Sequence, residues 1–199
     1  MRLILASQSP ARLNVLRSAG IEPVVRVSGV DEDALIASLD NPTPEETVVV
    51  LSAAKAEAIE HDDDCVVVGC DSMLLFEGEL VGKPGTPEIA LERWRRVAGK
   101  SGALITGHTV LRVAAGEITG RASAAESTTV RFGTPSEEEM EAYIATGEPL
   151  HVAGGFTIDG RGGWFIDGID GDHTSVIGIS LPLTRRLLSQ VGVSVSTLW

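Results

Sequence analysis

Four Ser-Pro or Thr-Pro pairs recur along the chain, and each has the pattern of a helix start. A Ser or Thr hydroxyl accepts a hydrogen bond from the first free N–H groups of a helix. Proline suits the first helical position because no intrahelical bond is lost there. We therefore predict that helices open at these pairs and that a last helix covers about residues 180–191; the pairs are Ser9-Pro10, Thr43-Pro44, Thr86-Pro87 and Thr134-Pro135.

Apolar segments between these helices are typical of strands. The predicted strands are residues 1–6, 66–68 running into 73–76, 104–113, 128–132 and 164–169, with a variable surface stretch at 114–123. Strands that alternate with helices indicate the α/β class. No linker is long or polar enough to separate independent domains, so we expect residues 1–199 to form a single domain.

The composition limits the ligands and the compartment. A formal net charge of -12 argues against binding to a nucleic acid polymer, which needs a basic surface. A phosphate ligand must therefore find a locally basic pocket or bring a metal ion. We expect a cytoplasmic protein that does not cross a membrane, because no segment has the pattern of a membrane span or a signal peptide. Cys65 and Cys70 lie at the two ends of one strand-like run and cannot bridge each other, so both are expected to be free thiols.

The first candidate site is the segment from Ser7 to Arg12, between a strand and the N-terminus of a helix. Free N–H groups and the positive end of the helix dipole point to one place there, which suits an anion. The dipole disfavours Arg12 in the first turn, so its presence suggests a negative partner such as phosphate. Pairing of Arg12 with an acidic neighbour, or its exposure to water, is the alternative.

Lys55 and Asp71 are two further candidates. Lys55 falls within the apolar stripe of its predicted helix, where a lysine usually extends its stem along the core and keeps its ammonium in water. Asp71 follows the apolar run of residues 66–70, and an unpaired carboxylate at the end of a buried strand is costly in free energy. A metal ion or a reacting water would offset that cost. The alternative is that the carboxylate caps a turn by accepting from the Ser72 N–H. Gly69 favours close approach of another backbone beside it.

Three short segments complete the candidates. Gly82-Lys83-Pro84 lacks the spacing and the hydroxyl of a P-loop, yet a lysine on this rigid turn can contact phosphate or simply lie in solvent. The acidic loop at residues 30–33 could give carboxylate oxygens to Mg²⁺. The run at residues 61–64 is interpreted as a solvated loop.

Taken in order, these pieces resemble the Maf family of nucleotide pyrophosphatases, relatives in fold of the inosine triphosphate pyrophosphatases. The resemblance covers nearly the whole chain and rests on the joint order of short segments. They include Leu5-Ala6-Ser7-Gln8-Ser9-Pro10-Ala11-Arg12, Val30-Asp31-Glu32, Ala54-Lys55-Ala56, Gly69-Cys70-Asp71-Ser72, Gly82-Lys83-Pro84 and Ala153-Gly154-Gly155-Phe156.

The resemblance implies a twisted mixed sheet flanked by helices, in two lobes with an active cleft between them, and often a homodimer. It implies hydrolysis of nucleoside triphosphates, modified or selected standard ones, to monophosphate and diphosphate with Mg²⁺ or Mn²⁺. The implied roles are Asp71 as general base and metal ligand, Glu32 as second metal ligand, and four phosphate contacts: Ser7, Arg12, Lys55 and Lys83. A nucleotide-binding regulator of cell division with little or no catalysis is the alternative function.

Two positions depart from the family pattern. Ala11 stands where an arginine is usual, so one phosphate contact is absent or supplied elsewhere. Asp159 stands where one subgroup has a glutamine that helps read a pyrimidine base, and we expect it near the nucleobase. Asp159 as the cap of the turn before Gly160 is the alternative.

Overall fold

The structure, a computed structural model, describes residues 1–61 and 64–199. Its strands are β1 (Arg2–Leu5), β2 (Val24–Val25), β3 (Cys65–Phe76), β4 (Glu79–Val81), β5 (Ser101–Ala114), β6 (Glu117–Phe132) and β7 (Ile166–Asp170). Its α-helices are α1 (Pro10–Ser18), α2 (Glu32–Ala37), α3 (Pro44–Glu57), α4 (Pro87–Val97), α5 (Glu137–Ala145), α6 (His173–Ile177) and α7 (Leu181–Gln190). Among the described residues, none of these helices is both long and apolar enough to cross a membrane.

The strands form one mixed sheet in the order β2-β1-β3-β5-β6-β7, with β4 paired to β3. Strand β1 is parallel to both β2 and β3, whereas the β3–β4 and β6–β7 pairs are antiparallel. The predicted α/β class with a mixed sheet is confirmed. By contacts the chain divides into two compact units. Unit 1 comprises residues 1–71, 106–126 and 178–199, and unit 2 comprises residues 72–105 and 127–177.

In unit 1, α3 packs directly on the backbone of the sheet at two glycines. A Cβ atom on Gly69 of β3 would overlap the carbonyl oxygen of Ser52, and one on Gly107 of β5 would overlap that of Val48. Only glycine permits this approach, as predicted for Gly69. The apolar core beside this contact consists of Ile4, Ala6, Ala56, Ile59, Cys65, Val67, Leu111 and Val113.

In unit 2, the core is built around the buried Trp94 of α4. Its ring lies edge-on to the rings of Phe132, Tyr143 and Phe165, at centroid distances of 5.8, 5.6 and 5.9 Å. Its indole N–H donates to the carbonyl of Gly155 at 2.8 Å. The indole therefore ties α4 to the glycine-rich segment that follows α5, because a buried polar N–H needs a partner.

The helix starts are confirmed, with one shift. Ser9, Thr43, Thr86 and Ser180 cap helices as predicted. At Thr134-Pro135 the helix begins later, because Ser136 is the N-cap and forms a capping box with Glu139.

Two strand predictions were wrong. The stretch at 114–123 is mostly strand, since β5 and β6 are joined by a tight turn at Ala115 and Gly116, both with positive φ. The strand predicted at 164–169 begins at Ile166, because Arg161–Phe165 form a 3₁₀-helix that leaves Trp164 exposed. At 114–123 the polar pattern predicted a loop, and at 164–165 the apolar pattern predicted a strand. In both places a tight backbone turn changed the local structure from that prediction.

Candidate active site

The segment between β1 and α1 folds as the sequence predicts. The Ser9 hydroxyl accepts from the backbone N–H of Arg12 at 3.4 Å, and Pro10 occupies the start of the helix. The hydroxyl of Ser7, which is buried, accepts from the N–H of Ser9 at 3.1 Å. The Ser7 hydroxyl and the first-turn N–H groups therefore lie together at the positive end of α1.

The Arg12 guanidinium donates hydrogen bonds to oxygen atoms of three other residues of unit 1. Its Nε donates to the carbonyl of Gly178 at 2.8 Å, and its Nη1 donates to the carbonyl of Cys70 at 2.9 Å and to Ser7 Oγ at 3.1 Å. These contacts orient the guanidinium and place it beside the residue that precedes Asp71. The predicted substrate contacts Ser7 and Arg12 are thus brought together with the predicted base.

Gly178 has a structural role that the sequence reasoning missed. Its φ of +127° belongs to glycine, and a Cβ atom there would lie 3.1 Å from the Arg12 Nε. The residue therefore both presents its carbonyl to Arg12 and makes room for the guanidinium. The available signal was a glycine just before the N-cap Ser180 of α7.

Asp71 lies inside β3, not at its end. The strand continues to Phe76, so the expectation that Asp71 ends a buried strand was wrong, and the alternative of a turn cap at Asp71 fails with it. The parallel pairing of β1 with β3 stops at Leu5 and Val68, and the Ala6 N–H then donates to the Val68 carbonyl. Asp71 therefore lies beyond the carboxyl end of β1, where α/β sheets place their ligands.

Lys55 reaches this carboxylate from α3. Its Nζ lies 2.5 Å from Asp71 Oδ1 and 2.8 Å from Glu32 Oε1, and its side chain is only 9% exposed. The interpretation of a lysine with its ammonium in water is therefore wrong. The close packing of α3 at Gly69 brings the lysine stem within reach of the strand.

Glu32 is the first residue of a short helix, where the sequence suggested an acidic loop. Asp31 caps this helix α2, because its Oδ1 accepts from the Ala34 N–H at 3.0 Å. The Glu32 side chain is 39% exposed, so it is open to solvent on one side and joined to Lys55 on the other. The two carboxylates predicted to hold a metal thus converge on one ammonium.

Burial dominates the electrostatics at Asp71 and Cys70. Burial raises the pKa of Asp71 above its ordinary value, against the attraction of the nearby Lys55 ammonium and with the Glu32 charge adding to the rise. Burial also raises the pKa of the Cys70 thiol to about 11, so it stays protonated and unreactive. Both cysteines are free and buried, as expected.

Lys83 belongs to unit 2 and is exposed on a firmly held turn between β4 and α4. The carbonyl of Gly82 accepts from Arg93 Nη1 at 2.6 Å and from the Gly154 N–H at 3.1 Å, and Pro84 is buried. The backbone is thus fixed while the ammonium faces solvent. A phosphate contact by Lys83 stays a prediction.

Asp159 is exposed in the glycine-rich segment of unit 2. The hydrogen bonds of its turn come from other residues, because the Gly162 N–H donates to Thr157 Oγ1 at 3.1 Å and to Glu148 Oε1 at 3.3 Å. The Thr157 hydroxyl in turn donates to Glu148 at 2.5 Å. Thr157 and Glu148, which the sequence reasoning did not single out, therefore hold the turn that carries Asp159.

Within residues 1–61 and 64–199, no group of three or more His, Cys, Asp or Glu side chains is arranged to hold a metal ion. The carboxylate pair Glu32 and Asp71 would therefore supply only part of the ligand set of a metal ion. In the acidic run at residues 61–64, Asp64 accepts from the Ala115 N–H at 2.8 Å, and Asp62 and Asp63 lie outside the described residues.

Comparisons with known proteins identify the family of this chain. A protein named nucleoside triphosphate pyrophosphatase from Saccharopolyspora erythraea is 64% identical over 205 residues, which cover 100% of this chain and 97% of that protein. One with the same name from Nocardia farcinica is 60% identical over 203 residues, covering 99% and 96%. A solved structure of the Staphylococcus aureus Ham1 protein aligns with 67% of this chain and 72% of its own, at 14% identity and a TM-score of 0.39. The family model described as Maf-like protein matches residues 2–191, and the chain therefore belongs to the Maf family.

Proposed function

We propose that this protein hydrolyses nucleoside triphosphates between the α- and β-phosphates and releases a monophosphate and diphosphate. The observation that carries the proposal is the buried Asp71, joined to Lys55 and Glu32 and placed next to the Arg12 guanidinium at the N-terminus of α1. Attack of water on a phosphorus atom is favoured by a base that accepts the proton. It is also favoured by cations and a helix N-terminus that stabilise negative charge on the phosphates. The two relatives above are named for this activity, and the match covers 97% and 96% of their lengths.

In this proposal Asp71 accepts a proton from the attacking water. The water oxygen bonds to the α-phosphorus, and the bond from that phosphorus to the bridging oxygen breaks, so the bridging oxygen leaves with the diphosphate. A carboxylate with a raised pKa is a stronger base than an ordinary aspartate, which suits proton abstraction near neutral pH. Ser7, Arg12, Lys55 and Lys83 are the proposed phosphate contacts, because hydrogen bonds from such groups hold the phosphates and stabilise developing negative charge.

The donor chemistry of Glu32 and Asp71 fits Mg²⁺ or Mn²⁺. Both are carboxylates, and both lie within 2.8 Å of a single cation, the Lys55 ammonium. Mg²⁺ is usually bound by one or two carboxylates and completed by water and substrate phosphates. Bound there, such an ion would supply charge neutralisation for the phosphates and the departing diphosphate.

The test identifies both the products and the bond that breaks. The purified protein is incubated in ¹⁸O-labelled water with Mg²⁺ or Mn²⁺ and a panel of standard and modified triphosphates. We expect monophosphate and diphosphate, with the label in the monophosphate. Orthophosphate as the first product, or label in the diphosphate, would contradict cleavage by attack on the α-phosphorus. Nucleotide binding without any product would favour the regulator of cell division.

We also propose that the protein works in the cytoplasm, because the buried free thiols of Cys65 and Cys70 suit a reducing compartment. The homodimer implied by the family resemblance is likewise a proposal. Light scattering on the purified protein would measure its mass in solution directly.

A further inference from the structure

The two carboxylates of the site are already occupied by a cation that belongs to the chain. Lys55 Nζ contacts Asp71 Oδ1 at 2.5 Å and Glu32 Oε1 at 2.8 Å. The lysine and aspartate side chains are 9% and 8% exposed. An ammonium bound to two carboxylates in a buried place takes the oxygen atoms that a divalent cation would use.

The charges of this cluster disfavour a metal ion that arrives by itself. With Lys55 in place, the Glu32 and Asp71 carboxylates already face its ammonium, and the Arg12 guanidinium also acts electrostatically on Asp71. A divalent cation added to them would meet the ammonium as a like charge at short range, in surroundings where such repulsion is strong. If the ammonium left the carboxylates without a new anion to pair with, it would be buried without a partner.

A nucleoside triphosphate removes this conflict because it brings negative charge. Its phosphates offer the ammonium a new anionic partner and offer the metal further oxygen ligands. Within the described part of the chain, no cluster of three or more acidic, His or Cys side chains could hold a metal. The long flexible stem of a lysine lets its ammonium move between neighbouring anions while it stays protonated.

We propose that Lys55 is an internal counter-ion that occupies the metal position of the substrate-free protein, so that the divalent cation binds there only together with the nucleotide. The proposal rests on the proposed function for the identity of the nucleotide. It differs from a simple phosphate contact, because it predicts that Lys55 weakens metal binding when no nucleotide is present.

The first experiment measures Mn²⁺ binding to the nucleotide-free protein by the loss of the free-ion signal in electron paramagnetic resonance, at mildly alkaline pH. Lys55→Met keeps the length of the stem and removes the charge. We expect it to bind Mn²⁺ at least about tenfold more tightly than the parent, since the like charge is gone. Lys100→Met is the matched control, because Lys100 is an exposed lysine paired with Glu77 and its loss changes the net charge equally. We expect that control to bind Mn²⁺ like the parent.

Two results would overturn the proposal: a folded Lys55→Met protein whose Mn²⁺ affinity equals or falls below that of the parent, or an equal gain in Lys100→Met. Circular dichroism establishes that each variant is folded. The measurement involves no turnover, so its outcome is independent of whether the protein hydrolyses triphosphates.

A second experiment uses the unchanged protein, in case Lys55→Met does not fold. The ammonium of a buried, ion-paired lysine exchanges slowly enough to be followed by ¹⁵N NMR. We expect the Lys55 signal to be unaffected by millimolar Mg²⁺ and to shift when Mg²⁺ is added with an α,β-methylene triphosphate analogue. A shift with Mg²⁺ alone would overturn the proposal. If the analogue fails to bind, the proposed function fails, while the Mg²⁺ result still tests the counter-ion.

Discussion

The backbone of Gly69 in β3 lies against the carbonyl oxygen of Ser52 in α3, so closely that a Cβ atom would overlap it. This contact sets the distance between the helix that carries Lys55 and the strand that carries Asp71. The ion pair at 2.5 Å depends on it, because a helix pushed outward would withdraw the ammonium from the carboxylate.

Gly69→Ala is expected to separate α3 from β3. Forced overpacking of this kind lowers the free energy of unfolding by about 1–3 kcal/mol, and here the new atom meets backbone, which cannot rotate away. Urea unfolding measures the change. Gly82→Ala is the control for stability, because a Cβ atom there would meet only Met73, at 3.8 Å. Equal unfolding midpoints for the two variants would show that the helix adapts without strain.

Asp71→Asn is expected to leave the fold intact and to lower kcat by at least about a hundredfold, the usual scale for loss of a general base. The substituted side chain has nearly the same volume, and the Lys55 ammonium keeps Glu32 as a partner. Initial rates of diphosphate release measure the effect. Asp33→Asn, at an exposed residue of α2, should turn over like the parent. Near-normal turnover in Asp71→Asn would mean that Asp71 is structural.

Lys83→Ala is expected to lower kcat/KM for triphosphates by about tenfold or more, as for one lost hydrogen bond to a charged phosphate. Its stability should stay unchanged, since the ammonium is exposed and the turn is held by backbone contacts of Gly82. Steady-state kinetics and thermal melting measure the two quantities. Lys100→Ala, at another exposed lysine, should leave kcat/KM as it is. If both variants behave alike, Lys83 is an ordinary surface lysine.

Glu148→Gln is expected to destabilise the segment that carries Asp159, and to do so in a pH-dependent way. Partial burial raises the pKa of Glu148, but hydrogen bonds from Thr157, Gly162 and Arg161 outweigh it and leave the pKa below the ordinary value of 4.5. A depressed pKa means that ionised Glu148 stabilises the fold above that ordinary value, and that this contribution is lost as the pH falls through the lower, folded-state pKa.

The unfolding free energy of Glu148→Gln should therefore be about 1–3 kcal/mol lower than that of the parent at neutral pH. The difference should shrink as the pH is lowered below 4.5. Denaturant titrations at several pH values measure it, with the exposed Glu141→Gln as the matched control. A difference that is constant with pH would assign the effect to packing instead of charge.

Asp159→Gln is expected to shift the base preference toward UTP and TTP. An ionised aspartate only accepts hydrogen bonds, so it should favour guanine or cytosine, which offer N–H groups. A glutamine both donates and accepts, which suits uracil and thymine, and such mismatches are worth roughly 1–3 kcal/mol. Comparison of kcat/KM for UTP, TTP, CTP and GTP decides the matter, and an unchanged ranking would rule out base reading by Asp159.

Local signals in the sequence determined where helices begin and which class of fold results. Ser9-Pro10 and Thr43-Pro44 open helices because capping depends on residues within one turn of each other. The inward position of Lys55 on α3 also follows from helical periodicity. The order of the family segments along the chain identified the Maf family, because a comparison of segments needs only the sequence.

Only the tertiary structure decided what those residues contact. Lys55 and Asp71 are 16 positions apart, Arg12 and Gly178 are 166 apart, and no local pattern encodes which side chain a cation will reach over such separations. Whether Lys55 meets water or Asp71 was set by the packing of α3 on Gly69, and whether Asp71 ends a strand or lies within it was set by the pairing of β3 with its neighbours. Long-range packing decides which groups surround each buried charge. The free energy of burying that charge depends on all of these groups, so a local stretch of sequence does not determine it.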